Sequence, residues 1–437
     1  MKKKSEIEKN FIFAVKNHQQ GNITVAKSIY KEILEIDSKH SRSYNNLGII
    51  FQNTGELEQA KNCYEKAMEN NPNFADAYNN FGAVIKEMGE EKKSIEEIKK
   101  AKKYFEKAIV LNPNSADAHN NLGTTYQHFR DYLNAKNCYE KAIQIKPDFA
   151  SAYNNLGVVF EKLREYSKAK QCCKKAIELN PNYTEAYWNL YSFVSDVDEA
   201  LLVLKKLNKI DNEHVEAKLM INALEGFKGN YKDNFIDPKI KNHPLSRSIK
   251  WVFSLPKLPK IYFNRWDFFD SIIDLTDKSR PFYEFGVWDG ISFKYLIKTF
   301  KKGYGFDTFT GLPEQWHDVP KGAFSTLGVV PKIEGGEFIS GEFKKTLPEF
   351  FSKKRPLASL INFDADLYSS TICALNNTND IIDDKSILIF DEFITNDHWE
   401  EDEFKALNEF CKKFGFSYEV LAISFLSKQT AVKMVEK

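Results

Sequence analysis

The sequence lacks any long hydrophobic run. Its basic start, MKKKSEIEKN, is followed by the apolar stretch FIFAV, which is too short for the core of a secretory signal. No later segment approaches the length needed to cross a membrane. We therefore expect a cytoplasmic protein without a membrane-spanning segment.

The charge balance and the cysteines further restrict the class of protein. The 62 basic side chains nearly equal the 61 acidic ones, so the formal charge of +1 gives no overall field that favours nucleic acid. The six cysteines form no CxxC pair, and Cys63, Cys138 and Cys172 share one position of a repeat. This spacing favours reduced, packed cysteines over disulfides or a zinc site.

The first half of the sequence contains a repeat with a period of 34 residues. Its copies are YNNLG at 44–48, YNNFG at 78–82, HNNLG at 119–123 and YNNLG at 153–157. Each copy is followed by two alanines and then by NP or KP. Small residues let paired helices pack closely and proline ends each unit, which is the pattern of a tetratricopeptide repeat (TPR). We predict an all-helical solenoid over 1–183, with a weak leading repeat at 7–40 and good repeats over 41–183.

One interval in the repeat is too long. Gly82 and Gly123 stand 41 residues apart, seven more than the period, and the surplus lies in the polar stretch EEKKSIEEIKK. Seven residues are about two helical turns, so a helix can lengthen without rotating its apolar face. We expect a solvated projection rather than additional core.

A column of asparagines occupies one position in the first helix of each repeat. Its members are Asn46, Asn80, Asn121, Asn155 and Asn189. Such a ladder can hydrogen-bond an extended peptide along the concave face, as in the O-linked N-acetylglucosamine transferases, whose repeats these resemble. A plain solvated groove is the alternative, because asparagine is common at this position throughout the repeat family.

The repeat ends before the second half of the chain. Residues 184–245 are interpreted as capping helices and a linker that ends around DNFIDPKIKNHP. From 246 to 437, strands and helices alternate, which predicts a mostly parallel α/β domain. Strands are expected in the segments RPFYEF, GYGFD, ASLINFD and SILIFDEF, and a closing antiparallel hairpin in FSYEVLAIS and QTAVKMVE.

The first predicted strand is followed by a glycine-containing turn. Glycines there let the backbone approach a ligand, and an acid at the end of the next strand suits a ribose diol. Gly286, Gly290 and Asp307 stand at these positions, although Trp288 replaces the middle glycine of G-x-G-x-x-G. The alternatives are a cofactor site and an ordinary turn, and Trp288 either shapes the cofactor pocket or covers the sheet edge.

Two further acids follow predicted strands. Asp364 and Asp391 are 27 residues apart, the length of a crossover between neighbouring parallel strands, so we expect both at the carboxyl edge of the sheet. Carboxylates there suit a hard cation such as magnesium, and a loop acid that caps the next helix is the alternative. Asp366 is interpreted as a supporting or turn-capping residue. His398 is a candidate general base, or an idle loop histidine.

Four segments of the second half carry a resemblance to a known family. EFGVWDG, GFDTFTGLPEQW, DADLYSST and FDEF resemble class I S-adenosylmethionine-dependent methyltransferases of the TylF/macrocin O-methyltransferase type, over roughly 265–437. The resemblance implies a Rossmann-like domain that binds S-adenosylmethionine. It implies Glu284 and Gly286 at the methionine end of the cofactor and Asp307 at the ribose hydroxyls.

The same resemblance implies a divalent metal, usually magnesium. Its ligands would be Asp364, Asp391 and Glu392, and the metal would orient the acceptor hydroxyl and lower its pKa. The segment 317–331 is then either a lid over substrate or an ordinary surface loop.

Together these features predict an O-methyltransferase. Its acceptor would be a sugar, a glycan or another hydroxyl compound, with Asp364 and His398 as catalytic residues, and the repeats would recruit a protein or a glycosylated partner. The alternatives are a TPR scaffold with an inactive Rossmann-like domain and, less compatible with Trp288, a nicotinamide-dependent oxidoreductase.

Overall fold

The computed structural model describes residues 2–233, 238–317 and 319–436. The chain divides into two compact units, Met1–Leu190 and Tyr191–Lys437. The boundaries predicted at residues 183 and 245 stay predictions, and the expected linker end includes residues 234–237, which lie outside the described residues. No helix of the described chain is long and apolar enough to cross a membrane.

The first unit confirms the predicted all-helical solenoid. Consecutive helices pack against each other in pairs. The helices are α1 (Lys2–Gln19), α2 (Ile23–Ile36), α3 (Ser41–Asn53), α4 (Leu57–Asn70), α5 (Ala75–Glu91), α6 (Ile95–Leu111), α7 (Ala116–His128), α8 (Tyr132–Ile145), α9 (Ala150–Lys162), α10 (Tyr166–Leu179) and α11 (Thr184–Tyr191).

Close contact between a glycine and an aromatic ring sets the packing within these pairs. In three repeats, a Cβ atom on the glycine of the first helix would lie 2.5 to 2.8 Å from a fully buried ring of the second helix. The pairs are Gly48 with Tyr64, Gly82 with Phe105, and Gly123 with Tyr139. In the fourth repeat Gly157 faces the smaller Cys173, with its Sγ atom at 3.1 Å. The repeat pattern therefore records a steric requirement of helix pairing.

The seven surplus residues are shared between two helices. Helices α5 and α6 have 17 residues each, against 13 in α3 and 14 in α4, so α5 gains four residues and α6 gains three. Each gain is close to one turn of 3.6 residues, which keeps the apolar face in register. The added turn of α5 buries Met88, whereas Ile98 of α6 occupies the regular position of the buried Leu57. Most of the stretch EEKKSIEEIKK is exposed, as expected, and Met88 just before it extends the core.

The second unit combines nine helices and an eight-stranded sheet among the described residues. The helices are α12 (Val197–Ile210), α13 (Val215–Glu225), α14 (Pro238–Lys241), α15 (Pro244–Ser254), α16 (Arg265–Ile273), α17 (Ile291–Phe300), α18 (Phe343–Phe351), α19 (Tyr368–Thr378) and α20 (Glu403–Phe414). The strands are β1 (Lys260–Ile261), β2 (Phe282–Phe285), β3 (Gly303–Asp307), β4 (Gly336–Ser340), β5 (Leu360–Phe363), β6 (Ile387–Phe390), β7 (Phe416–Ile423) and β8 (Thr430–Glu436).

The sheet has the strand order β1-β7-β8-β6-β5-β2-β3-β4. Its strand pairs are parallel except those of β8, which is antiparallel to β6 and β7. The four predicted parallel strands and the closing hairpin are confirmed. The edge strands β1 and β4 were not predicted, because β1 has two residues and β4 is half exposed, so neither carries a buried apolar run.

The order in which the chain adds strands to the sheet reverses at β2, although the strands there stay parallel. From β2 the chain moves outward to β3 and β4, and it then returns to place β5 on the other side of β2. Strands β2 and β5 are thus neighbours whose connections leave in opposite directions. In open α/β sheets, ligands bind in the crevice outside the carboxyl ends of such a pair.

A row of four buried phenylalanines crosses the sheet at this point. Phe306, Phe285, Phe363 and Phe390 are register partners on adjacent strands, and their rings stack with centroids 4.8 to 5.3 Å apart. The next residue of each strand stands at the carboxyl edge. The apolar row therefore determines which side chains reach the crevice.

Replacing Gly123 by alanine tests the steric requirement in the repeats. The new Cβ would lie 2.7 Å from the fully buried ring of Tyr139, so we expect a loss of about 1–3 kcal/mol in the free energy of unfolding from overpacking. Gly157→Ala is the matched control, since both variants gain the same helix propensity of about 1 kcal/mol. Urea denaturation followed by circular dichroism compares them, and equal stability of the two variants would contradict the argument.

Candidate functional site

Three acids and a glycine come immediately after the four stacked phenylalanines of strands β3, β2, β5 and β6. Gly286 N donates to Phe306 O at 2.9 Å, Asp364 N to Phe285 O at 2.8 Å, and Asp391 N to Phe363 O at 3.0 Å. Asp307 is the last residue of β3. The structure therefore brings the predicted residues Gly286, Asp307, Asp364 and Asp391 to the carboxyl edge on neighbouring strands.

Glu284 lies within β2 and is fully buried. Its Oε1 accepts a hydrogen bond of 2.9 Å from Nδ2 of Asn362, its cross-strand neighbour in β5. Glu284 Oε2 and Asn362 Oδ1 have no hydrogen-bond partner. Burial, and next the charge of Asp364, raise the pKa of Glu284 well above its usual value. A buried acceptor without a donor is costly, so this pair is suited to a ligand or water that brings donors.

Gly286 allows the backbone turns after β2 and β5 to meet. Its φ of +90° lies in the left-handed region, and a Cβ atom there would stand 1.8 Å from the carbonyl oxygen of Asp364. No side chain fits at this position. The turn ends at Gly290, which precedes α17.

The Asp307 carboxylate organises the two turns beside it. Oδ2 accepts a hydrogen bond of 2.8 Å from Trp288 N, and Oδ1 accepts one of 2.6 Å from Phe309 N. These contacts agree with the interpretation of this segment as an ordinary turn. They leave lone pairs on both oxygens, since a carboxylate offers about four acceptor sites, so the ribose contact implied by the resemblance stays a prediction.

Asp364 and Asp391 meet the same guanidinium group. Nη2 of Arg265 lies 2.9 Å from Asp364 Oδ2 and 2.9 Å from Asp391 Oδ1. The Asp391 oxygen also accepts a hydrogen bond of 2.7 Å from Nε2 of Gln429. Burial, and next the charge of Asp391, raise the pKa of Asp364, while Arg265 opposes this rise.

Glu392, the third predicted metal ligand, has a different partner. Its carboxylate pairs with Nζ of Lys428 at 3.0 Å. Asp366 adopts a left-handed φ of +58°, and burial raises its pKa well above the usual value. Among residues 2–233, 238–317 and 319–436, no three histidine, cysteine or acidic side chains are grouped to hold a metal.

As arranged, these carboxylates do not fit a divalent cation. Magnesium binds oxygen at about 2.0–2.1 Å and requires near-octahedral geometry. A guanidinium nitrogen already stands between the Asp364 and Asp391 oxygens, 2.9 Å from each. Glu392 is directed to Lys428. The acids are therefore compensated by cations of the protein itself.

His398, the predicted general base, belongs to a pair of histidines. Its ring stacks on that of His317 with centroids 4.2 Å apart and an interplanar angle of 17°. Nε2 of His317 lies 3.0 Å from Oδ2 of the buried Asp402. Sequence reasoning did not identify His317 or Asp402, because nothing local marks an aspartate 85 residues away as its partner. A base role for His398 stays a prediction.

The segment predicted as a lid or an ordinary loop is tied to Phe309. Gly328 N and Thr326 N both donate to Phe309 O, at 2.8 and 3.1 Å. Phe324 meets the half-exposed ring of Trp288 at 5.8 Å, and Leu327 is 92% exposed. Residue 318 lies outside the described residues, and lid movement stays a prediction.

In the first unit, the asparagine column forms bonds between repeats. Nδ2 of four ladder residues donates to Oδ1 of an asparagine in the preceding repeat, over 2.9 to 3.1 Å. The pairs are Asn80 with Asn45, Asn121 with Asn79, Asn155 with Asn120, and Asn189 with Asn154. Asn46 donates to Tyr30 Oη at 3.0 Å. The first asparagine of each NN doublet is the buried acceptor, a role that sequence reasoning missed.

Family models match the first unit along its repeats. Models described as "Tetratricopeptide repeat" match residues 41–74, 63–96, 87–115, 104–137 and 150–183, and one described as "TPR repeat" matches 131–163. Residues 41–183 are tetratricopeptide repeats. This confirms the predicted good repeats, and the first unit is called the TPR unit below.

Several solved structures are similar to the chain. They include pilF of Pseudomonas aeruginosa (21% identity, 50% of this chain and 97% of that chain, TM-score 0.43). YrrB, a TPR protein with an unusual peptide-binding site, has 23% identity over 43% of this chain and 96% of that chain, with a TM-score of 0.32. TTC0263, a TPR protein of Thermus thermophilus, has 14% identity over 45% of this chain and 99% of that chain, with a TM-score of 0.38. No curated protein matches the chain.

Glu284 should make the stability of the α/β unit depend on pH. Its pKa is raised in the folded protein, so the folded state holds a proton that the unfolded chain releases above its ordinary pKa of 4.5. The contribution of Glu284 to the free energy of unfolding is then fully present below pH 4.5, and it is lost as the pH rises through the raised pKa of the folded state. Glu284→Gln removes this loss, so the variant should gain up to about 1.4 kcal/mol per pH unit relative to the parent.

Denaturant unfolding of both proteins between pH 5 and pH 8 measures this difference. Glu337→Gln removes a carboxyl from the exposed face of β4 and controls for the change in net charge. A constant difference between Glu284→Gln and the parent across this range would refute the assignment.

Proposed function

We propose that the protein is an interaction scaffold whose TPR unit binds a protein partner, and whose α/β unit carries a ligand crevice of its own. The repeat matches over 41–183 support the scaffold role. Repeats of this kind stack into extended surfaces that serve for binding.

The NN doublets suggest how the TPR unit recognises its partner. An asparagine amide carries two N–H donors, and each ladder asparagine uses one of them on a neighbouring repeat or, for Asn46, on Tyr30. The bond holds the amide in place, and its side chain is only partly buried. The second donor can then meet the backbone carbonyls of an extended peptide, in register with the repeats. A groove filled only with water is the competing interpretation.

Peptide binding can be separated from repeat stability by mutating either side of one bond. Peptides selected on the full-length protein from a displayed random library serve as the probe. Asn121→Ala removes the half-exposed amide, and we expect a loss of about 0.5–1.5 kcal/mol in binding by fluorescence anisotropy. Asn79→Ala breaks the same bond from its buried side and is the matched control. If both variants bind the peptide like the parent, the ladder does not contact it.

Methyl transfer is the second candidate function, and it concerns the α/β unit. The observation that favours it is Glu284, a buried carboxyl with an unpaired oxygen at the switch point of the sheet. The family resemblance implies this residue at the methionine end of S-adenosylmethionine, whose ammonium group is a donor.

The proposed reaction would transfer a methyl group to an acceptor hydroxyl oxygen, and the hydroxyl proton would pass to His398, the predicted general base. Bound S-adenosylmethionine would supply the methyl group on a sulfonium sulfur, which leaves as a neutral thioether. Glu284 would accept the cofactor's ammonium hydrogens, and Asp307 would accept its ribose hydroxyls while holding the turn at Trp288. Gly286 would let the β2 turn pass close to the β5 turn beside the cofactor. The acceptor would be a glycan or another hydroxyl compound, and no step is assigned to a metal because the carboxylates do not fit one.

A catalytically inactive α/β domain is the alternative to methyl transfer, and the family-model matches to the repeats are compatible with it. A nicotinamide-dependent oxidoreductase is the remaining alternative. Measured binding of S-adenosylmethionine and of NAD separates the three candidates. The methyltransferase binds S-adenosylmethionine, the oxidoreductase binds NAD, and a scaffold with an inactive α/β domain binds neither.

Calorimetry on the full-length protein provides this test. We expect saturable binding of S-adenosylmethionine and none of NAD. Asp307→Ala should weaken the binding by about 1–3 kcal/mol, because the ribose hydroxyls lose a charged acceptor. Glu337→Gln, on the exposed face of the next strand, should bind like the parent. Tight binding of NAD would replace the methyltransferase proposal by the oxidoreductase, and the absence of binding of either cofactor would leave the scaffold.

A further inference from the structure

Arg265 occupies the place between two strand ends where a shared cation would stand. Its Nη2 is 2.9 Å from Asp364 Oδ2, at the end of β5, and 2.9 Å from Asp391 Oδ1, at the end of β6. A metal ion bound to both oxygens would need the volume of this nitrogen. A second positive charge at that distance would also be strongly repelled.

The arginine is held by its own helix. It is the first residue of α16, whose N-cap residue Asn264 accepts hydrogen bonds from Trp266 N and Asp267 N at 3.0 and 2.9 Å. The guanidinium group also lies over the ring of Phe269, 5.8 Å from its centroid. Unlike lysine, arginine does not lose its proton in proteins, so its charge is permanent.

The remaining predicted ligand is compensated in the same way. Lys428 pairs with Glu392 at 3.0 Å, and its neighbour Gln429 donates to Asp391 at 2.7 Å. Each of the three acids at these two strand ends thus has a cationic or amide partner from the protein. Arginine and carboxylate form strong charge-assisted hydrogen bonds that need no metal.

We infer that Arg265 is a built-in cation that replaces a divalent metal at the Asp364–Asp391 pair, so that this edge of the sheet is organised without magnesium. Arg265 is therefore a positioning residue that fixes the two carboxylates beside the crevice. The inference does not depend on methyl transfer, because a metal titration uses neither cofactor nor acceptor.

Manganese binding to the full-length protein tests the inference. Electron paramagnetic resonance counts free Mn²⁺ directly, and Mn²⁺ takes the same oxygen ligands as Mg²⁺. We expect no saturable site that depends on Asp364 in the parent protein, and no change in thermal midpoint between excess Mg²⁺ and EDTA. Saturable Mn²⁺ binding that is lost in Asp364→Asn would overturn the inference.

Removing the arginine provides the positive arm. Arg265→Ala leaves two carboxylates without their cation, and we expect it to acquire Mn²⁺ binding at least about tenfold tighter than the parent, with a rise in thermal midpoint on addition of the metal. Arg265→Met keeps more of the side-chain volume and is the second variant if Arg265→Ala does not fold. Adding Asp364→Asn to the folded variant should abolish the new site. A folded variant that binds no Mn²⁺ would show that Arg265 does not occupy a cation position.

The outcome is distinguishable from failure of the methyltransferase proposal. Calorimetry with S-adenosylmethionine on the same protein reports on Glu284 and Asp307, whereas Mn²⁺ titration reports on Arg265 and its two carboxylates. A protein that binds the cofactor and no metal supports both conclusions. A protein that binds neither supports only the built-in cation.

Discussion

Carboxyl groups at the ends of buried parallel strands need positive charge within reach, and the organisation of the α/β unit depends on how that need is met. Arg265 supplies the charge to Asp364 and Asp391, at 2.9 Å from each. One arginine cannot neutralise two carboxylates, and burial adds to the cost of the second charge. Burial, and next the charge of Asp391, raise the pKa of Asp364 for this reason. Helix α16 and strands β5 and β6 are in this way tied together at one point.

The acids reach this point because of the apolar row beneath them. Four stacked phenylalanines hold β3, β2, β5 and β6 in register, so the residue after each phenylalanine lies at the carboxyl edge of the sheet. Glu284, one position before Phe285, is left in the interior with an unpaired oxygen. A protein that only needed stability would gain by replacing such a group with an apolar one of similar shape. Its position at the switch point is therefore better explained by a ligand that brings a donor.

The TPR unit solves a related problem with neutral groups. A buried asparagine in each repeat accepts a hydrogen bond from the next repeat, which satisfies part of its polarity and sets the spacing between repeats. The donor asparagine stays at the half-exposed surface with a second N–H group. The same doublet thus stabilises the stack and provides a row of donors, one in each repeat.

Much of the architecture was predictable because it follows from local periodicity. The 34-residue repeat and the alternation of strands with helices each reflect backbone geometry within a short segment. The placement of Asp364 and Asp391 at one edge was predictable for the same reason, since parallel strands must end at the same side. The edge strand β4 escaped prediction, because a half-exposed strand carries no continuous apolar run.

By itself, the sequence determined the repeats, the parallel strands and the positions of the acids along them. Only the tertiary structure decided what those acids meet. Arg265 lies 99 residues before Asp364, and Lys428 lies 36 residues after Glu392, so no local pattern links them. The same holds for Met88 in the lengthened second repeat, which joins the core through tertiary packing. A contact between distant segments depends on how helices and strands pack, and packing is the information that a short sequence window does not contain.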